Sequence, residues 1–291
     1  MNINMKYYIV TIGSIFLALG IGIIVGFNLN YDQELSKQQS EVLSEFEERF
    51  DSLNKEKVDL NAQIDTLTKE YDKLTSYISQ NYNILIADEL IERNTGIIIT
   101  NEKNDYSEEL ENLIKDANGN LAFNIVVKDT IEDEKKLKTL SDEIDKEIKT
   151  SQDCINYIID CLQVNNAQKD LEMLQELDLI EIKSLSSNYA SYDSAILVGE
   201  NEDENMQKTF EVKEKNIISK LKSEKKYLVA VQREASKSKF LKLCSDSKIS
   251  TIDNIDSEIG KISLSMLIKD ESIVGNYGVG ENVTDLMPFS K

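Results

Sequence analysis

The residue pattern predicts an α/β protein: a three-layer α/β domain with a mainly parallel sheet, Rossmann- or flavodoxin-like, joined to a transmembrane helix and a coiled-coil stalk. Three observations lead there. Residues 7–30 form a charge-free apolar run, residues 32–88 carry a heptad rhythm, and residues 94–291 alternate short β-branched runs with amphipathic segments.

The first element is YYIVTIGSIFLALGIGIIVGFNL, about 23 residues, enough to cross a hydrocarbon core of about 30 Å. Lys6 precedes it, while Asp32 and Glu34 follow. Positive-inside bias puts residues 1–6 in the cytoplasm and the rest outside the plasma membrane. A cleaved signal peptide would have a shorter apolar stretch and a small-x-small cleavage site, so the expectation is an uncleaved single-pass anchor. Ser14, Ala18, Gly22 and Gly26 recur every fourth residue. Such a small-residue stripe lets two membrane helices approach closely, although membrane helices are also glycine-rich without that role.

In the second element the core-type positions follow a 3,4 alternation: Leu43, Phe46, Phe50, Leu53, Lys57, Leu60, Ile64, Leu67, Tyr71, Leu74, Ile78, Asn81 and Leu85. Lys57 and Asn81 are polar residues of the kind that set register at a cost in stability. The segment has no Gly or Pro and is dense in Glu, Lys, Asp and Gln. It reads as a left-handed coiled coil about 60 Å long. Two chains leaving one membrane in the same direction must pair in parallel, which predicts a homodimer. An amphipathic helix folded back on its own domain is the competing reading.

In the third element, runs at 96–100, 123–127, 179–183, 195–199 and 227–231 read as buried strands. Helical patterns fall at about 106–117, 132–149, 151–163, 167–176, 204–223 and 236–246. Alternation of this kind predicts helices on both faces of a parallel sheet. No Gly-rich phosphate loop follows any strand. The loops TNEKNDYSEE and GENEDEN place carboxylates where a nucleotide needs amides or cations, which argues against a nucleotide enzyme.

Composition narrows the chemistry. The chain has no His, so imidazole acid–base catalysis and His-ligated metal are excluded. Its net charge is −20, and Lys6 is the one charged side chain in the first thirty residues, so the remainder carries −21. Nucleic acid is repelled by such a domain. Cys154, Cys161 and Cys244 are an odd set, unlike a disulfide framework. Cys154 and Cys161 lie about 10 Å apart along a helix, too far for a disulfide or a shared metal. They read as core thiols.

The C-terminal stretch couples an apolar helix, Ser257 to Ile268, to a glycine-rich tail in which Gly275, Gly278 and Gly280 surround Tyr277. Such a tail is either a packed cap or a loop that binds a ligand or partner.

Two segments carry a family resemblance: IFLALGIGIIVGFNL at the membrane, and TIDNID, GKISLSMLI and GNYGVGENVTDLMP at the end. The chain resembles the MctB family of copper transporters, which also includes the septation protein SteB. The matching positions are Asp253, Asn254, Gly260, Gly275, Tyr277, Gly278, Gly280 and Pro288. The resemblance implies a non-enzymatic role in copper ion homeostasis or export at the cell envelope, with copper entering by resemblance alone. The alternative is a dimeric envelope scaffold that holds division or septation proteins rather than metal. The residues themselves predict no cofactor and no catalytic group.

Overall fold

The computed structural model describes residues 5–200, 206–280 and 283–289, with side chains described outside 28–35. Two compact units divide the chain, one ending at Leu74 and the other beginning at Thr75.

The second unit is built on a seven-stranded sheet: β1 (Asn94–Ile99), β2 (Asn120–Val127), β3 (Ile180–Leu185), β4 (Ser194–Val198), β5 (Tyr227–Val231), β6 (Ser250–Ile252) and β7 (Asn276–Tyr277). The order β3-β2-β1-β4-β5-β6-β7 is parallel throughout except at β3, which runs antiparallel to β2. Its first six strands follow the doubly wound order that separates a Rossmann-like sheet from a flavodoxin-like one.

Alternating side chains feed two apolar layers. Ile98, Ala195, Leu197, Leu228 and Ala230 face one core, shared with α4 (Ser151–Cys161), α5 (Gln168–Glu176) and α7 (Glu214–Ser223). Ile97, Ile99, Ile196, Val198, Val229 and Val231 face the other, covered by α2 (Ser107–Asp116) and α9 (Glu258–Lys269). The expected three-layer domain with a mainly parallel sheet is therefore what forms. The remaining helices are α1 (Met5–Ile86), α3 (Glu134–Ile144), α6 (Met206–Val212) and α8 (Phe240–Asp246).

Several expectations need correction. Strands β6 and β7 were not anticipated, because three residues and two residues are too short to print a periodicity. The segment expected as helix over 132–149 ends at Ile144, where Asp145 takes a left-handed conformation. The helix expected over 204–223 is two helices, α6 and α7, hinged at Lys213, and residues 201–205 of GENEDEN lie outside the described residues.

Helix α1 joins the membrane and stalk segments without a break over 82 residues. Its apolar stretch Met5–Phe27 is long enough to cross a membrane. From Leu43 to Leu74 the apolar members of the predicted row are exposed, between 52% and 68%. After Thr75 only Ile78 of the row packs against the domain core, joined there by Tyr82 and the fully buried Ile86 from outside the row, while Leu85 of the row is 43% exposed. The end of α1 thus packs into the domain of its own chain on a face shifted from the heptad row.

Candidate functional site

Seven of the eight family-motif positions meet where β6 ends. Thr251 N–H donates to Gly275 C=O at 3.0 Å and Asp253 N–H donates to Tyr277 C=O at 3.1 Å, pairing β6 with β7. The chain then turns at Gly278, whose φ of +132° is a conformation that L side chains rarely adopt. The turn brings two backbone donors onto the Asp253 carboxylate: Val279 N–H at 2.8 Å and Gly280 N–H at 2.5 Å. A Cβ at Gly278 or Gly280 would overlap that carboxylate.

Asn254 lies beneath, 2% exposed, with its Oδ1 lacking a hydrogen-bond partner among the described residues. Its carbonyl accepts from Ser257 N–H at 2.9 Å, and Ser257 Oγ caps α9 by accepting from Gly260 N–H at 3.0 Å. The helix sits so close to the turn that a Cβ at Gly260 would overlap the Asn254 carbonyl. The buried Tyr277 ring lies in the α2/α9 core, where burial raises its phenol above the usual range. Gly275 passes against that ring's hydroxyl end. Pro288 is buried, and its neighbour Met287 packs on the same core. The tail is thus a packed cap, and its turn also forms one wall of a cleft.

That cleft, of about 610 Å³, opens at the C-terminal ends of β5, β6 and β7, where open α/β sheets place their ligands. Asp253, Val279 and Gly280 line it on one side, and Lys237, Lys239 and Lys242 on the other. Gln232, Thr251 and Asn276 lie between. Thr251 Oγ1 donates to Asn276 Oδ1 at 2.9 Å, and Asn276 Nδ2 donates to Ser245 Oγ at 2.8 Å, which orients this floor.

The topological switch between β1 and β4, the usual dinucleotide crevice, is crossed by buried side chains beside a cavity of about 330 Å³ lined by Thr100, Asn101, Lys128 and Lys213. Lys213 enters it 3% exposed and donates through Nζ to Thr100 C=O at 3.0 Å and to the Asp129 carboxylate. Glu214, 2% exposed, accepts from Thr100 Oγ1 at 2.5 Å. Burial raises the Glu214 carboxyl from 4.5 to about 7, outweighing the Thr100 hydrogen bond and the nearby Lys213 charge. Asn101 Nδ2 and Asn104 Nδ2 span the crevice by donating to Glu200 C=O at 2.7 and 2.9 Å. Sequence reading missed Thr100, Lys213, Glu214 and Gln232. The one signal was adjacent charged residues inside an apolar helical stripe.

Copper(I) seeks thiolate or thioether donors. All three cysteines are free and buried. Burial pushes the thiols of Cys154 and Cys161 up to about 12 and raises that of Cys244 as well. Among the described residues no group of three or more His, Cys, Asp or Glu could hold a metal. The thiols are core side chains, and they do not combine into a copper ligand set.

Ser14, Ala18, Gly22 and Gly26 fall on one face of α1 by their four-residue spacing. Nothing stands within 4 Å of a Cβ built on Gly22 or Gly26, so that face is open.

No curated protein matches this chain. A family model described as "Copper transport outer membrane protein, MctB" matches residues 2–288. The outer membrane is the family's own description, and the apolar N-terminal helix agrees with it in pointing to a membrane protein. With nearly its whole length matched, from the membrane helix to the buried Pro288, the chain belongs to the MctB family of copper-transport-related membrane proteins.

Proposed function

We propose that this protein serves copper homeostasis or export at the cell envelope without catalysis, as a parallel homodimer anchored in the plasma membrane by one helix. The amino terminus faces the cytoplasm and the α/β domain lies outside. The domain works by binding envelope proteins, not by carrying copper on its own thiols.

One observation carries this reading: the exposed row from Leu43 to Leu74, nine apolar or aromatic residues at heptad spacing with Lys57 among them. An apolar row of that length in water needs a cover, and a second copy in parallel supplies one with matching knobs and holes. The small-residue stripe at Ser14, Ala18, Gly22 and Gly26 supports the same pairing within the membrane.

The test uses the full chain in its own membrane. Leu53→Cys should give a disulfide-linked dimer on mild oxidation, whereas a cysteine at the outward position Lys55 should not. A strain lacking the protein should accumulate copper, and the variant without its three native cysteines should restore normal levels. Unchanged copper content in the deletion strain would sink the copper role, and absence of the Leu53→Cys dimer would sink the parallel pair.

A further inference from the structure

We propose that the cleft at the ends of β5, β6 and β7 binds a small phosphate-bearing ligand that also carries a hydroxyl or amine donor. The site is independent of how the protein serves copper, so the two readings fail separately.

The charge pattern is the first argument. The segment REASKSKFLK, residues 233–242, holds four cations and one carboxylate in a chain of net charge −20. Three of those cations, Lys237, Lys239 and Lys242, line one cleft. Among the described residues the carboxylates that line it are Glu234 and Asp253, and Asp253 is already held by the Val279 and Gly280 amides. Arg233 pairs with Glu109 and stacks over Tyr106, and Lys237 also has a partner within the protein, so Lys239 and Lys242 are the cations open to an anion. Outside this segment the chain carries a net −23, so an anion gains more here than from the average of the remaining surface.

The second argument is a buried acceptor. Gln232 lines the cleft 6% exposed, and its Oε1 has no hydrogen-bond partner among the described residues. Among the described residues its Nε2 reaches the Ser236 carbonyl alone, at 3.3 Å. A buried amide oxygen without a donor is costly, and a ligand hydroxyl or amine relieves that cost. Lysine ammonium groups suit phosphate as point charges, and Ser236 and Ser245 add hydroxyls to the cleft. The volume of about 610 Å³ fits a small molecule.

The experiment places the full chain in phosphatidylcholine nanodiscs and titrates glycerol 3-phosphate, with binding read by calorimetry. A second arm uses nanodiscs containing phosphatidic acid and no added ligand, reading protection of the cleft lysines from acylation. Saturable binding in the first arm assigns a soluble ligand, and protection in the second assigns a lipid headgroup. The double variant Lys239→Met/Lys242→Met, at exposed positions, should weaken binding at least tenfold. Gln232→Met should weaken it about fivefold while keeping or raising thermal stability, which a merely structural glutamine would not do. Neither binding nor protection, or binding unchanged in both variants, overturns the proposal. Equal affinity for inorganic phosphate and glycerol 3-phosphate, unchanged by Gln232→Met, overturns it as well.

Discussion

Asp253 and Gly278 are fitted to each other: the Asp253 Oδ1 occupies the space where a side chain at position 278 would begin. The carboxylate receives the two amides just beyond that glycine, so backbone shape and charge select the same turn. Gly278→Ala adds both a strained φ and an overlap with the carboxylate, and should destabilise the domain by about 3 kcal/mol. Asp253→Ala loses two charge-assisted bonds and should cost about 2 kcal/mol. In the double variant the overlap disappears, so the combined loss should fall short of the sum by about 1 kcal/mol. Urea unfolding of the full chain in nanodiscs, followed by tyrosine fluorescence, measures all three.

Glu214 predicts a pH dependence with a definite sign. Its folded carboxyl titrates near 7 against an ordinary 4.5, so the folded state favours the protonated form. That stability is complete below pH 4.5 and is lost as pH rises to about 7. The groups around it are Thr100, Lys213, Asp129 and Cys244. Relative to Glu214→Gln, the native protein should lose roughly 2–3 kcal/mol between those limits. Parallel stability curves for the two proteins across that range would rule the assignment out.

The cysteines should be silent in the native state. Thiols raised to about 12 carry almost no thiolate at pH 8, and burial blocks the reagent besides. Iodoacetamide should label none of Cys154, Cys161 and Cys244 in the folded chain and all three in denaturant. Mass spectrometry of the two samples reads the difference directly.

The stalk should be sensitive to charge on its apolar row and indifferent to charge elsewhere. Phe50→Asp or Ile64→Asp should convert cross-linkable dimers to monomers in native membranes, whereas Asn61→Asp should leave them intact. Ile78→Asp should behave differently from both. That residue packs on the domain core, so the change should lower domain stability by about 2 kcal/mol.

The architecture was legible wherever a residue's role depends on its neighbours in the chain. An apolar run spanning a bilayer, a 3,4 rhythm and buried β-branched runs are local repeats of helix and strand geometry, and they located α1 and β1 to β5. Short elements such as β6 and β7 carry too little repeat to be seen, because their pairing is decided by strands distant in sequence. The family positions were named from sequence, yet their purpose was not. Asp253 and Gly280 are 27 residues apart, and only the fold puts a carboxylate on those amides.

Sequence by itself determined the membrane-length helix, the α/β class, the absence of imidazole chemistry and the positions that mark the family. Tertiary structure alone decided that the C-terminal glycines clasp Asp253, that Lys213 and Glu214 cross the nucleotide crevice, and that three lysines share one cleft with Gln232. The division has a physical cause. Hydrogen-bond and burial repeats are written at spacings of two to four residues, while charge pairing and steric fit act between groups brought together only when the sheet is assembled.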